Sequence, residues 1–305
     1  GGVEAVLEAG LIAALIQTLY LGYLHIREVG LHFCRSSYPT LIRYSLPIVF
    51  SGLVAFALTG LDRWILADQV DMVSVAQYGV AAKFALAVVL LLQPFGMWWS
   101  PRRFQVLDGP NGHAESARIA SLGVTLTLMI TLLVGLLSPL MIGWMMPDEY
   151  RVAGHYVAGL ALAMAFKEAA ELLNIGCFIG KTTRAQLLIN IAGTLVGVAA
   201  MLLLVSPLGV WGVVIALVAA QGVRFALFVA VSQHFLPLPY PAKTLVVMTV
   251  MTLLWLLIGS QLQGAWMQII TTIAAIGSLL AVAVHKGLIP MPQRFIRTEV
   301  EVECA

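Results

Sequence analysis

Charge is what this chain of 305 residues has least of: 10% are Asp, Glu, Lys or Arg, 60% are hydrophobic, and the mean hydropathy is +0.95. Soluble domains average about 25% charged residues. So few charges cannot keep a surface wet, so the composition excludes a water-soluble protein and implies an integral membrane one. The net charge of +2, with no basic patch interleaved with aromatics, excludes a nucleic-acid partner. Cysteine is scarce too: Cys34, Cys177 and Cys304 lie too far apart for a metal ligand set or a disulfide framework. Cys177, inside an apolar run, reads as a small packing residue. The six histidines are scattered and read as solvated or packed side chains. There is no nucleophile elbow, no pair of His ligands and no glycine-rich phosphate loop. The pattern therefore predicts no catalytic set, no cofactor and no metal. No signal peptide is expected either, since GGVEAVLEAG carries Glu4 and Glu8 where a leader places Lys or Arg.

What the chain has instead is long apolar runs. Windows of membrane-spanning length, about 20 residues each, predict an all-α protein with nine transmembrane helices near 5–24, 41–67, 73–99, 117–146, 153–179, 184–206, 208–234, 243–262 and 265–286. Pro94 and Pro139 predict kinks or early stops in the third and fourth. One alternating set of connections carries Arg27, Arg35, Arg43, Arg102, Arg103, Arg118, Lys181, Arg184, Lys243, Lys286, Arg294 and Arg297. The other carries Asp68, Asp71, Asp148 and Glu149, with Arg151 its only cation. The positive-inside rule makes the first set cytoplasmic, placing the N-terminus outside and the C-terminus inside. Trp98, Trp99, Trp144, Trp211 and Trp266 fall near predicted helix ends, where interfacial tryptophans belong. Two longer connections, 24–41 and 100–117, are basic and partly apolar and are expected along the membrane surface. The organisation predicted is a helix and cytoplasmic linker (1–40), a six-helix lobe (41–234), two peripheral helices after the proline-rich joint HFLPLPYPAK (235–287) and a cytoplasmic tail (288–305).

Within these apolar helices sit charges that lipid rejects, at a cost of at least roughly 2.5–3.5 kcal/mol each on insertion scales. Asp62 and Arg63 lie near the outer end of their helix and have two readings, snorkelling to the interface or facing a cavity. Lys83 lies about ten residues into its helix, roughly 15 Å deep at 1.5 Å per residue, where a cavity or an acidic partner is needed. Lys167 and Glu171, four apart, are positioned to pair along their helix. Glu168 and Glu171 share a face, so one of them calls for a second cation, from Lys83 or Arg224, or a proton. A structural salt-bridge network explains the same signs. Gly193 and Gly197 allow close helix contact, and Asn174 and Asn190 read as interhelical hydrogen-bonders.

RYSLPIVFSGLVAFALTGLDRWIL followed by VAQYGVAAKFALAVVLLLQPFGMWWSP resembles the start of the second lobe in oligosaccharide flippases and polysaccharide biosynthesis proteins of the multidrug/oligosaccharidyl-lipid/polysaccharide exporter superfamily. The resemblance rests on Ser45-Leu46-Pro47, the pair Asp62-Arg63, the Tyr-Gly-x-Ala-x-Lys run from Tyr78 to Lys83, and Pro94. GKTTRAQLLINIAGTLVGVAAMLLLVSPLGVWGVVIAL is similar to the family's Lys-Thr loop, Asn-bearing helix (Asn190) and Pro-x-Gly-x-x-Gly turn (Pro207, Gly209, Gly212), so that the likeness covers most of 40–235.

The resemblance implies two six-helix lobes around a cavity that opens alternately to each side. It implies a polyprenyl-pyrophosphate-linked oligosaccharide as cargo, with Lys83 and Arg224 neutralising the pyrophosphate and Arg63 nearer the exit beside Asp62. Polysaccharide polymerase and glycosyltransferases, with membrane lipids, are the implied partners, and the inner (cytoplasmic) membrane the implied location. Only one short helix precedes Leu41, so the chain is expected to correspond to a flippase's C-terminal portion. A cation-coupled multidrug antiporter of the same superfamily would use Glu168, Glu171 and Lys167 as ion-coupling residues. A scaffold subunit of a polysaccharide assembly complex would need no buried charge. An enzyme acting on such glycolipids calls for large outer loops, and those here are a few residues long.

Overall fold

The computed structural model describes residues 2–30, 35, 38–179, 183–262 and 264–288. Cys34, Lys181, Arg294, Arg297, Cys304 and the tail beyond Leu288 lie outside the described residues. The chain forms two compact units, 1–43 and 44–305. In the first, α1 (Val3–Val29) is an apolar helix with none of its spanning window buried. α2 (Tyr38–Gln69) begins there and continues into the second.

The second unit is all-helical among the described residues. It continues with α3 (Met72–Ala85), α4 (Ala87–Leu107), α5 (Gly112–Met145), α6 (Ala153–Leu173), α7 (Arg184–Leu208), α8 (Val210–Phe235), α9 (Ala242–Gln261) and α10 (Ala265–His285). Eight runs among the described residues, α3 and α4 counting as one, are long and apolar enough to cross a bilayer. α6 is a further long helix, with the charges Lys167, Glu168 and Glu171 in its C-terminal third. This is a multi-span membrane protein.

Helices in lipid gain nothing from hiding apolar surface from one another, so packing and polar contacts hold them. α5 is the hub: 72% of its spanning window is buried, and it packs against α4, α6, α9 and α10. Four of its buried hydroxyls bond back within the helix, Ser121, Thr125, Thr127 and Thr131 each donating to the carbonyl four residues earlier. α8 lies between α6 and α7, and α3 lies on α6. Glycine sets the closest approaches. A Cβ on Gly159 would collide with Val214, one on Gly193 with the stem of Arg224, and one on Gly197 with Leu58 of α2. Thr194 Oγ1 also donates to the Val54 carbonyl at 3.3 Å, tying α7 to α2.

Several expected boundaries move. The third predicted helix is interrupted at Leu86, yet its hydrogen bonds continue there: Leu86 N–H donates to Ala82 O at 2.9 Å and Leu90 N–H to Leu86 O at 3.1 Å. Neither Pro94 nor Pro139 stops its helix, and α4 also passes Pro101. The long connection expected over 100–117 is mostly helix, α4 running to Leu107 and α5 starting at Gly112, which leaves a short connection at 108–111. Its cations are accommodated by aromatic rings: Arg102 lies 5.3 Å from the Trp98 ring centroid and Arg103 lies 4.8 Å from that of Phe178. The fifth predicted helix ends early, at Leu173, and Ile175–Phe178 form a short 3-10 turn. There Gly176 N–H donates to Ser232 Oγ at 3.0 Å, pressing the turn onto α8 too closely for any side chain.

Candidate functional site

A cavity of about 420 Å³ opens between α2, α3, α6 and α8. Three cations line it, Arg63 from α2, Lys83 from α3 and Lys167 from α6, with Leu160, Met164 and Leu217 as apolar wall. Lys83 stands eleven residues into α3, roughly 16 Å along the axis at 1.5 Å per residue. Neither Arg63 nor Lys83 ion-pairs with a carboxylate among the described residues. Lys83 also borders a second groove of about 490 Å³, between α3–α4 and α5, whose wall is almost wholly apolar.

Asp62 takes the cavity-facing reading. It is 4% exposed and lines the cavity. Its Oδ2 accepts from the Tyr78 hydroxyl at 2.5 Å and its Oδ1 from the Arg63 backbone N–H at 2.6 Å. Both oxygens are thereby fixed, and the carboxylate does not neutralise the cations by direct pairing. Arg63 is exposed, one position further along the helix. A Tyr78→Phe chain is expected to lose about 1–3 kcal/mol of stability, because a buried carboxylate oxygen is left without its donor. An unchanged unfolding midpoint in chemical denaturant would contradict this.

Arg224 does not join the cavity cations. It is 5% exposed and held inside a polar network. Its Nε donates to Asn190 Oδ1 at 2.6 Å, its Nη1 to Gln221 Oε1 at 2.6 Å and its Nη2 to Glu171 Oε1 at 3.4 Å. Asn190 in turn donates to Ser51 Oγ on α2. Glu171 Oε2 accepts from Asn174 Nδ2 at 2.9 Å, and Asn174 Oδ1 accepts from Arg103 Nη1 at 3.0 Å. The network thus runs from α2 through α7, α8 and α6 to α4. Asn174 and Asn190 both bridge helices in it.

The charge pairs of α6 differ from the spacing expectation. Lys167 donates to its neighbour Glu168 at 3.1 Å rather than to Glu171 four residues on. Glu171 turns to Arg224 because that guanidinium arrives from α8 on its own side. The structure therefore brings Asp62, Arg63, Lys83 and Lys167 together at one cavity, with Glu168 beside Lys167, and places Glu171 and Arg224 in the adjoining network.

Two lining residues escape a reading by charge. Tyr78, 2% exposed, reads as one more apolar aromatic in a helical run, and Gln221, 5% exposed, carries no charge. For Gln221 one signal exists, since it precedes Arg224 by three residues and so shares its helix face. No group of three or more His, Cys, Asp or Glu that could hold a metal occurs among the described residues. Cys177 is packed against Ala170, Ile189 and Phe228.

Set beside known proteins, the chain matches no family model, no curated sequence and no solved structure.

Proposed function

We propose that the chain is a transporter that carries a polyprenyl-pyrophosphate-linked oligosaccharide across the cytoplasmic membrane, from the side of its basic connections to the side of its acidic ones, for cell-surface polysaccharide assembly. One observation carries the reading: cations from three separate helices line a single cavity, and two of them, Arg63 and Lys83, have no carboxylate partner among the described residues. Lipid rejects such a charge unless something anionic or aqueous meets it. A diphosphate crossing the bilayer needs compensating positive charge, and charge-assisted hydrogen bonds from Lys and Arg supply it. The apolar wall and the second groove beside Lys83 suit the polyprenyl chain. Glycosyltransferases that build the cargo and a polymerase that consumes it are the partners this activity calls for. The antiporter reading has less support, because Glu168 and Glu171, its coupling carboxylates, are each paired with a cation.

The test is translocation of a fluorescent lipid-linked oligosaccharide in vesicles containing the chain, with Lys83→Ala beside it. The expected result is movement that falls about tenfold or more in the variant, the loss of one charge-assisted contact of about 1.5–3 kcal/mol. Wild-type rates for Lys83→Ala would remove the reading. Export of a cationic drug in exchange for protons, with no movement of the glycolipid, would favour the antiporter.

A further inference from the structure

We infer that Gln221 donates hydrogen bonds to the anionic head of the cargo, and that Arg224 is the residue that positions it. The inference rests on the reading of the cavity as the anion-binding site and adds to it a neutral donor and a division of labour.

A guanidinium has donors and no acceptor, so the Gln221 carboxamide must present its oxygen to Arg224. It does so, with Nη1 to Oε1 at 2.6 Å. The amide nitrogen, with two N–H groups, is thereby turned the other way. Gln221 lines the cavity that holds Lys83 and Lys167, and no other hydrogen bond engages its Nε2 among the described residues. An amide donor left open at the wall of a cavity lined by cations is a ready contact for a phosphoryl oxygen.

Arg224 is immobilised for this purpose. Asn190 holds its Nε and Glu171 its Nη2, while Ser51 holds Asn190 from α2. Its aliphatic stem lies over Gly193, where a Cβ would collide with it, and its guanidinium lies 5.5 Å from the Phe228 ring centroid. With its three nitrogens engaged and its side chain outside the cavity wall, Arg224 acts through Gln221 and not by direct contact.

The test measures binding of polyprenyl pyrophosphate, and of neutral polyprenol as control, to the full chain in lipid nanodiscs. Gln221→Glu keeps an oxygen for Arg224 and removes both N–H groups; Gln221→Met removes them without adding charge. Both are expected to weaken pyrophosphate binding about tenfold and to leave polyprenol binding unchanged. Arg224→Met is expected to weaken it similarly alone, and to add nothing in the Gln221→Met background, a non-additivity that a general loss of packing does not produce. Should Arg224→Met fail to fold, the Gln221 pair carries the test by itself. Wild-type binding by Gln221→Met, with Lys83→Met weakened, would overturn the inference and leave the cavity reading standing. A loss seen for Gln221→Glu alone would likewise overturn it, as an effect of added charge. Wild-type binding by Lys83→Met would remove the cavity reading and this inference together.

Discussion

A Gly176→Val chain is expected to lose about 3 kcal/mol of stability, the upper part of the usual range for overpacking, while Gly222→Ala is expected to lose none. The two glycines differ in what a new Cβ meets. On Gly222, in α8, it meets nothing within 4 Å. On Gly176 it would collide with the Ser232 carbonyl oxygen and stand 2.9 Å from the Ser232 Cα, so it meets backbone that has no rotamer to change. The turn cannot step aside, because Gly176 N–H is bonded to Ser232 Oγ. The measurement is the unfolding midpoint of the purified chain in detergent. It is expected to drop for Gly176→Val and to hold or rise slightly for Gly222→Ala, alanine being the better helix former. Equal midpoints for the two variants would show that the turn and α8 are not in contact.

Arg224→Met is expected to destabilise the chain by about 3 kcal/mol, within the range for breaking a buried ion pair. It leaves Asn190 Oδ1, Gln221 Oε1 and Glu171 Oε1 without their donor at once. Glu171, 44% exposed at its side chain, has access to solvent, which keeps the loss at the lower end. Adding Glu171→Gln is therefore expected to recover part of it, since the carboxylate no longer lacks a partner. A double variant less stable than the sum of the two single changes would contradict the pairing.

Much of this architecture is legible in the sequence, and the rest is hidden for physical reasons. Long apolar runs announce spanning helices, because bilayer thickness dictates their length. Asp62, Arg63, Lys83 and Lys167 stand out for the same reason in reverse, as charges where lipid rejects them, and they meet at one cavity. Tyr78 and Gln221 carry no such penalty: Tyr78 stands out only in the run that leads to Lys83, and Gln221 only by sharing a helix face with Arg224. The partner of Glu171 cannot be read from spacing along α6, since Arg224 comes from another helix. The ends of α4 and α6 depart from the apolar pattern for local reasons. Stacking of Arg102 and Arg103 on aromatic rings lets α4 continue, and close contact at Gly176 replaces the end of α6 with a tighter turn.

Because Ser121, Thr127 and Thr131 send their hydroxyls back to their own backbone, the hub helix α5 carries these buried polar groups without asking an acceptor of any neighbour. Its hold on α4, α6, α9 and α10 is left largely to the fit of one side chain into the next, so the helix that carries most of the core is held by shape rather than by polar ties.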